Sequence, residues 1–246
     1  MTMSDYDLTQ HINADEEDLK NRIFEKVYGN QIKETPLKSV EEQTQEAKKK
    51  IDDNFQFIKE DFVHGFELLF EDSDQEHKEI LTEYAKNGKI LLANFYQAQD
   101  LKKQGEESVS ALAPEEMENI YQAALDQAIY FDNLARHRIS IGNNKEAISM
   151  FRFIINNFFV YTPAWVGWAV AENEMGNAET TKYIYELCLQ MFPEDSMVAY
   201  FASIFYLNNH ENDKAKQLLL NAKKRLEDQK AQNSEIYKNI NKLLNQ

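Results

Sequence analysis

The stretch AENEMGNAETTKYIYELCLQMFP, residues 171–193, decides the fold. It reads as two helices broken at Gly176, with Pro193 closing the second. The chain has only 7 glycines and 4 prolines in 246 residues, so each is informative. Gly142 lies 34 residues before Gly176, and His210 lies 34 after it. Five positions past these three come Ala147, Thr181 and Ala215, and nine past come Phe151, Tyr185 and Leu219. Twelve past come Ile154, Cys188 and Ala222. Seven before are Ala135, Ala169 and Ser203, and eleven before are Phe131, Trp165 and Ala199. Small residues recur where two helices approach closely, and large apolar ones recur where the gap between repeats must be filled.

A 34-residue period of this kind is the pattern of the tetratricopeptide repeat, an antiparallel helix pair. Three units follow in one register, 128–161, 162–195 and 196–229. The pattern departs from the family at four places. His210 replaces the turn glycine, Thr181 a core alanine, and Phe159 and Glu227 stand where proline is usual. After the third unit, SEIYKNINKLLNQ (234–246) supplies a terminal helix to cover the last apolar face. The expected fold is all-α: three repeats with a capping helix, preceded by a helical extension.

Before the repeats, residues 1–38 read as a polar tail with a short amphipathic helix over 15–30, its apolar side formed by Leu19, Ile23, Phe24 and Val27. Residues 39–105 read as a helical hairpin. Ser39 with Glu42, and Ser73 with Glu76, make capping-box patterns at the two helix starts. The second helix is expected to run to about Gln104. GEESVSALAP (105–114) is the linker, and Pro114 suits the first position of the next helix. The repeat domain spans 106–246, and residues 111–246 are expected to form a stable helical unit without the first 105.

The formal net charge is −15, which disfavours binding to a nucleic-acid backbone or to anionic lipid. No apolar run is long enough to span a membrane, so no stable insertion is expected. The first residues, MTMSDYDLTQHINADEEDL, lack the basic and apolar regions of a secretory signal. The single Cys188 cannot form an internal disulfide and fits a reducing cytoplasm. No phosphate-cradling loop, nucleophile elbow or metal-ligand spacing occurs, and His11, His64, His77, His137 and His210 are scattered. The chain is therefore expected to be no enzyme, with no catalytic residue, cofactor or metal.

The informative surface is the concave one, lined by fixed positions of each repeat's first helix. They are Ile129, Asp132, Arg136 and Ile139, then Pro163, Val166, Val170 and Asn173, then Met197, Tyr200, Ile204 and Leu207. The last two sets are mostly apolar, which points to a polypeptide partner lying extended in the groove. Val166, Val170 and Tyr200 occupy the places where a carboxylate-binding groove would need charged or amide side chains. The lesser alternative is that the N-terminal helices or a second copy fill the groove.

Three segments resemble the class II chaperones of type III secretion, which hold translocator proteins in the bacterial cytosol. LAPEEMENIYQAALDQAIYFDN (112–133) is similar to the helix leading into their first repeat. YTPAWVGWAVAENEMGNAETTKYIY (161–185) has the rhythm of their second, with its methionine–glycine turn, and DSMVAYFASIFYLNNHENDKAKQLLLNAKKRL (195–226) is similar to their third. The resemblance spans about residues 111–230 and implies a cytoplasmic, bacterial chaperone for a secreted or translocator-type client. The family's N-terminal arm often mediates dimerisation; residues 1–105 depart from it by being much longer, and they can form a homodimer through the N-terminal helices, cap the groove or bind something else. The alternative is a general tetratricopeptide scaffold or adaptor joining subunits of a complex.

Overall fold

The computed structural model describes residues 9–29, 31–35, 38–55, 58–88, 90 and 114–245. Among these the chain forms eleven helices and no strand. They are α1 (Thr9–Tyr28), α2 (Val40–Phe55), α3 (Ile58–Asp72), α4 (Gln75–Asn87), α5 (Pro114–Ser140), α6 (Asn144–Asn157), α7 (Thr162–Glu174), α8 (Ala178–Met191), α9 (Ser196–Asn208), α10 (Asn212–Asp228) and α11 (Glu235–Leu244). The helices form packed hairpins, consistent with a tetratricopeptide-like all-α fold.

The 34-residue period is written in the backbone. Helices α5, α7 and α9 end at 140, 174 and 208, and α6, α8 and α10 begin at 144, 178 and 212. Gly142, Gly176 and His210 all adopt the left-handed conformation, with φ of 83°, 80° and 62°. The amide of Gly142 donates to the Ile139 carbonyl at 2.9 Å, and that of Asn143 donates to Arg138 at 2.8 Å. His210 and Glu211 repeat the pair, donating to Leu207 and Tyr206 at 3.1 and 2.9 Å. This is the Schellman arrangement, which satisfies carbonyls that the helix end leaves open. The residues 34 apart are also the core: Ala147, Thr181 and Ala215 are each 0 % exposed, as are Ala135, Ala169 and Ser203.

His210 holds a position that glycine fills twice. A left-handed conformation costs an L-residue about 1–2 kcal/mol, and glycine returns part of that gain as lost chain entropy. His210→Gly is expected to raise stability by up to about 1 kcal/mol, read as a rise of a few degrees in the melting midpoint. An unchanged or lowered midpoint would mean that the imidazole makes a compensating contact.

The N-terminal helices differ in part from the expectation. The Ser39–Glu42 box forms: the Ser39 amide donates to Glu42 at 2.8 Å, and the Glu42 amide to Ser39 Oγ at 3.1 Å. At the next helix the cap is Asp74, not Ser73; its carboxylate accepts from the His77 amide at 3.0 Å, while Ser73 is buried. Helix α4 stops at Asn87 because Gly88 turns left-handed at φ 70°. Residues 91–104, into which that helix was expected to run, and most of the 105–114 linker lie outside the described residues. Pro114 does open the next helix, and Ser234 caps the terminal one by accepting from the Tyr237 amide at 3.3 Å.

The chain divides into two compact units, Met1–Gly176 and Asn177–Gln246. In the first unit α3 lies along α6. A Cβ on Gly65 would stand 2.2 Å from the carbonyl oxygen of Ser149, so the two backbones touch. Phe153 of α6 packs edge-on against Phe66 and Tyr84, with centroids 5.8 and 4.8 Å apart. Arg138 pairs with Asp72 at 2.6 Å, and the Tyr130 hydroxyl accepts from the Asp74 amide at 2.9 Å. Helix α1 joins the same body through Leu19, Ile23 and Val27, all buried, and through Arg22, which donates to the Asn156 carbonyl at 2.9 Å. In the second unit α9 and α10 pair, and α11 closes over a cluster of Ala199, Leu219, Ala222, Leu226 and Ile240.

Candidate functional site

The residues expected to line a groove belong to two different units and take different roles. In the first unit they come from α5 and α7. Ile129 is exposed, Ile139 and Val170 are half-buried, and Asn173 is exposed. Val166 is 1 % exposed and is a core residue. The reason is visible in TPAWVGWAVAENE: α7 is apolar nearly all round, so both its faces are covered. Helix α6 covers one side, where Gly167 approaches the Phe151 ring so closely that a Cβ would meet it at 2.4 Å. Helix α5 also packs on α7.

Charge enters this sector through Arg136. Its Nε donates to Asp132 at 2.6 Å, and its Nη2 to the Pro163 carbonyl at 2.9 Å, which ties α5 to the start of α7. Asp132 is 5 % exposed. Burial lifts its carboxyl above the ordinary range, and the Arg136 guanidinium opposes that rise. The pair neutralises itself, so this sector holds a satisfied ion pair between half-buried apolar residues.

The second unit contributes α9, SMVAYFASIFYLN, which contains no charged residue. Val198, Ala199, Ala202, Phe205 and Tyr206 are buried. Met197, Tyr200, Ile204 and Leu207 are all half-buried. Tyr200 is anchored more firmly than the others, because it packs on the cluster that includes Leu219 and Ile240. Phe201, which the repeat positions did not single out, is half-buried too, its ring 5.2 Å from that of Tyr200. The signal for it was the absence of any charge along α9.

A second charged cluster went unseen in the sequence. Arg152 of α6 pairs with Asp61 of α3 and reaches Glu172 of α7 at 3.4 Å. The Trp168 indole N–H donates to the same Glu172 oxygen at 2.9 Å, and the guanidinium lies 4.7 Å from the Trp168 ring centre. Burial pulls the Arg152 guanidinium down to about 10, with Glu172 opposing the shift. These groups hold three helices together inside the first unit. Cys188 is fully buried, and burial pushes its thiol up, so it stays protonated. Among the described residues no three metal-binding side chains gather, and no helix is long and apolar enough to cross a membrane.

No protein-family model matches the sequence, and no curated protein matches it. Among solved structures the chain is similar to one described as the CopN-Scc3 complex. The identity is 17 %, the TM-score 0.39, and the match covers 58 % of this chain and 83 % of the other. At that score the likeness identifies neither fold nor function.

Proposed function

We propose that this chain is a non-enzymatic binding protein that holds an extended apolar segment of a client polypeptide, as a chaperone of the type III secretion kind does for a translocator before export. The observation that carries the reading is α9. A helix without charge on any side normally has both faces covered. Here one face forms the core of the second unit, while Met197, Tyr200, Phe201, Ile204 and Leu207 stay half-exposed along the helix. Burying roughly 400 Å² of apolar surface there gives about 10 kcal/mol gross at about 25 cal/mol/Å², before the costs of association and ordering. The resemblance of residues 112–133, 161–185 and 195–226 to the translocator chaperones supplies the client class and a location in the bacterial cytoplasm.

The test begins with the full chain purified from the cell that makes it, together with the protein that accompanies it. Ile204→Ser and Met197→Ser should each weaken that partner's binding about tenfold or more by calorimetric titration, on the scale of an interface hot spot. Both should leave the melting midpoint within a few degrees of wild type. Tyr200→Ala should lower affinity and midpoint together, because that ring also packs on the core cluster. Full affinity in Ile204→Ser and Met197→Ser would remove α9 as the binding face.

A further inference from the structure

We infer that helix α11 is exchanged between two copies of this chain: in the dimer each copy seats its α11 on the α9–α10 surface of the other. The inference is built within the second unit and stands apart from the client reading above. The seat is shaped for this helix. Ala199 of α9 and Leu219, Ala222 and Leu226 of α10 enclose Ile240, with Ile236, Tyr237, Leu243 and Leu244 packed around it. The Tyr237 hydroxyl donates to Glu227 at 2.8 Å, and the Lys223 ammonium lies 5.8 Å from the Tyr237 ring centre. Each of these partners belongs to α9 or α10, so a second copy offers the same seat with the same contacts.

The connection between α10 and α11 supplies the reason to exchange. Lys230 is held in the left-handed region at φ 56°. Its amide donates to the Glu227 carbonyl at 3.0 Å, and the Ala231 amide to Leu226 at 2.8 Å. This is the Schellman turn again, closed here on a lysine whose Cβ strains it. Gln229, Lys230, Gln232 and Asn233 are exposed, so few side chains hold the bend. Residues 212–246 contain neither glycine nor proline, and Gln229 to Gln232 are good helix formers. With Lys230 relaxed, α10 and α11 run on as one helix over 212–244, about 50 Å long at about 1.5 Å per residue. That helix carries α11 away from its own seat and leaves both apolar surfaces in water. A second copy removes the conflict, because each chain fills the other's seat while both hinges stay relaxed. Residues 177–246 carry nine acidic and nine basic residues, so the exchanging parts do not repel through net charge.

Two hinge substitutions that touch no buried side chain test this in the full-length protein. Each sample is refolded from denaturant over a series of concentrations, so that exchange is not trapped, and is weighed by sedimentation equilibrium. The buffer holds about 150 mM salt, at which charges beyond about 8 Å are screened. The wild type should form a dimer whose share rises with concentration. Lys230→Gly relieves the closed turn and weakens the run-on helix, and a dimer contains two hinges. The dimerisation constant should therefore fall at least about tenfold. Ser234→Ala removes the cap that α11 needs only when it starts a separate helix, where Ser234 accepts from the Tyr237 amide at 3.3 Å. That change should raise the constant about tenfold. A wild type that stays monomeric at every concentration would overturn the inference. A dimer that ignores either substitution, or shifts in the opposite direction, would overturn it too and give the contact to another surface, the N-terminal helices among them. None of these outcomes bears on client binding at Met197 and Ile204.

Discussion

Gly65→Ala is expected to lower stability by roughly 3 kcal/mol or more, although alanine is the better helix former. At an open site in mid-helix this change stabilises by up to about 1 kcal/mol, so even the sign is diagnostic. Gly65 lies within α3 where that helix crosses α6. The added methyl would stand 2.2 Å from the Ser149 carbonyl oxygen and 2.6 Å from its carbon. Both are backbone atoms, and neither can swing aside as a side-chain tip would. Relief requires α3 and α6 to separate, which loosens Phe66 from Phe153 and strains the ion pairs beside them. For a chain of this size about 3 kcal/mol corresponds to a fall of roughly 6–12 °C in the melting midpoint. A circular-dichroism melt that is unchanged or raised would show that α3 does not lie against α6 as described.

Removing the N-terminal helices should have the other large effect. A fragment of residues 111–246 retains the whole repeat block, and the sequence alone suggests that it folds. The contacts point the other way. Phe153 would lose the Phe66 and Tyr84 rings, Arg138 would lose Asp72, and Arg152 would lose Asp61 and keep only Glu172. The apolar side of α6 that faced α3 would meet water as well. The fragment should be helical at low temperature yet melt without a cooperative transition over 111–176, while the cluster around Ala199, Leu219 and Ile240 keeps its own. Calorimetry on the fragment decides the matter. A single sharp transition at the full-length midpoint would show that the repeat block folds without the first 105 residues.

The sequence by itself determined the features whose signals are local and repeated. Gly142, Gly176 and His210 mark left-handed turns because a helix end needs a residue that tolerates positive φ, and their spacing fixed the hairpins. The small residues at Ala135, Ala169 and Ser203 are buried because close helix approach admits nothing larger. Ser39 with Glu42 and Pro114 announced helix starts, the first through hydrogen bonds that reach three residues and the second through a ring that fixes φ. The tertiary structure decided what depends on residues far apart in the chain. Asp61 and Arg152 meet across 91 positions, and Arg138 and Asp72 across 66, with no period linking them. Gly65 reads as a weak point in a helix until Ser149 is placed against it. Val166 and Ile204 both fall at groove positions of the repeat, yet Val166 is core and Ile204 half-exposed. The difference lies in what covers each helix, and coverage is a property of packing that the residue itself does not carry.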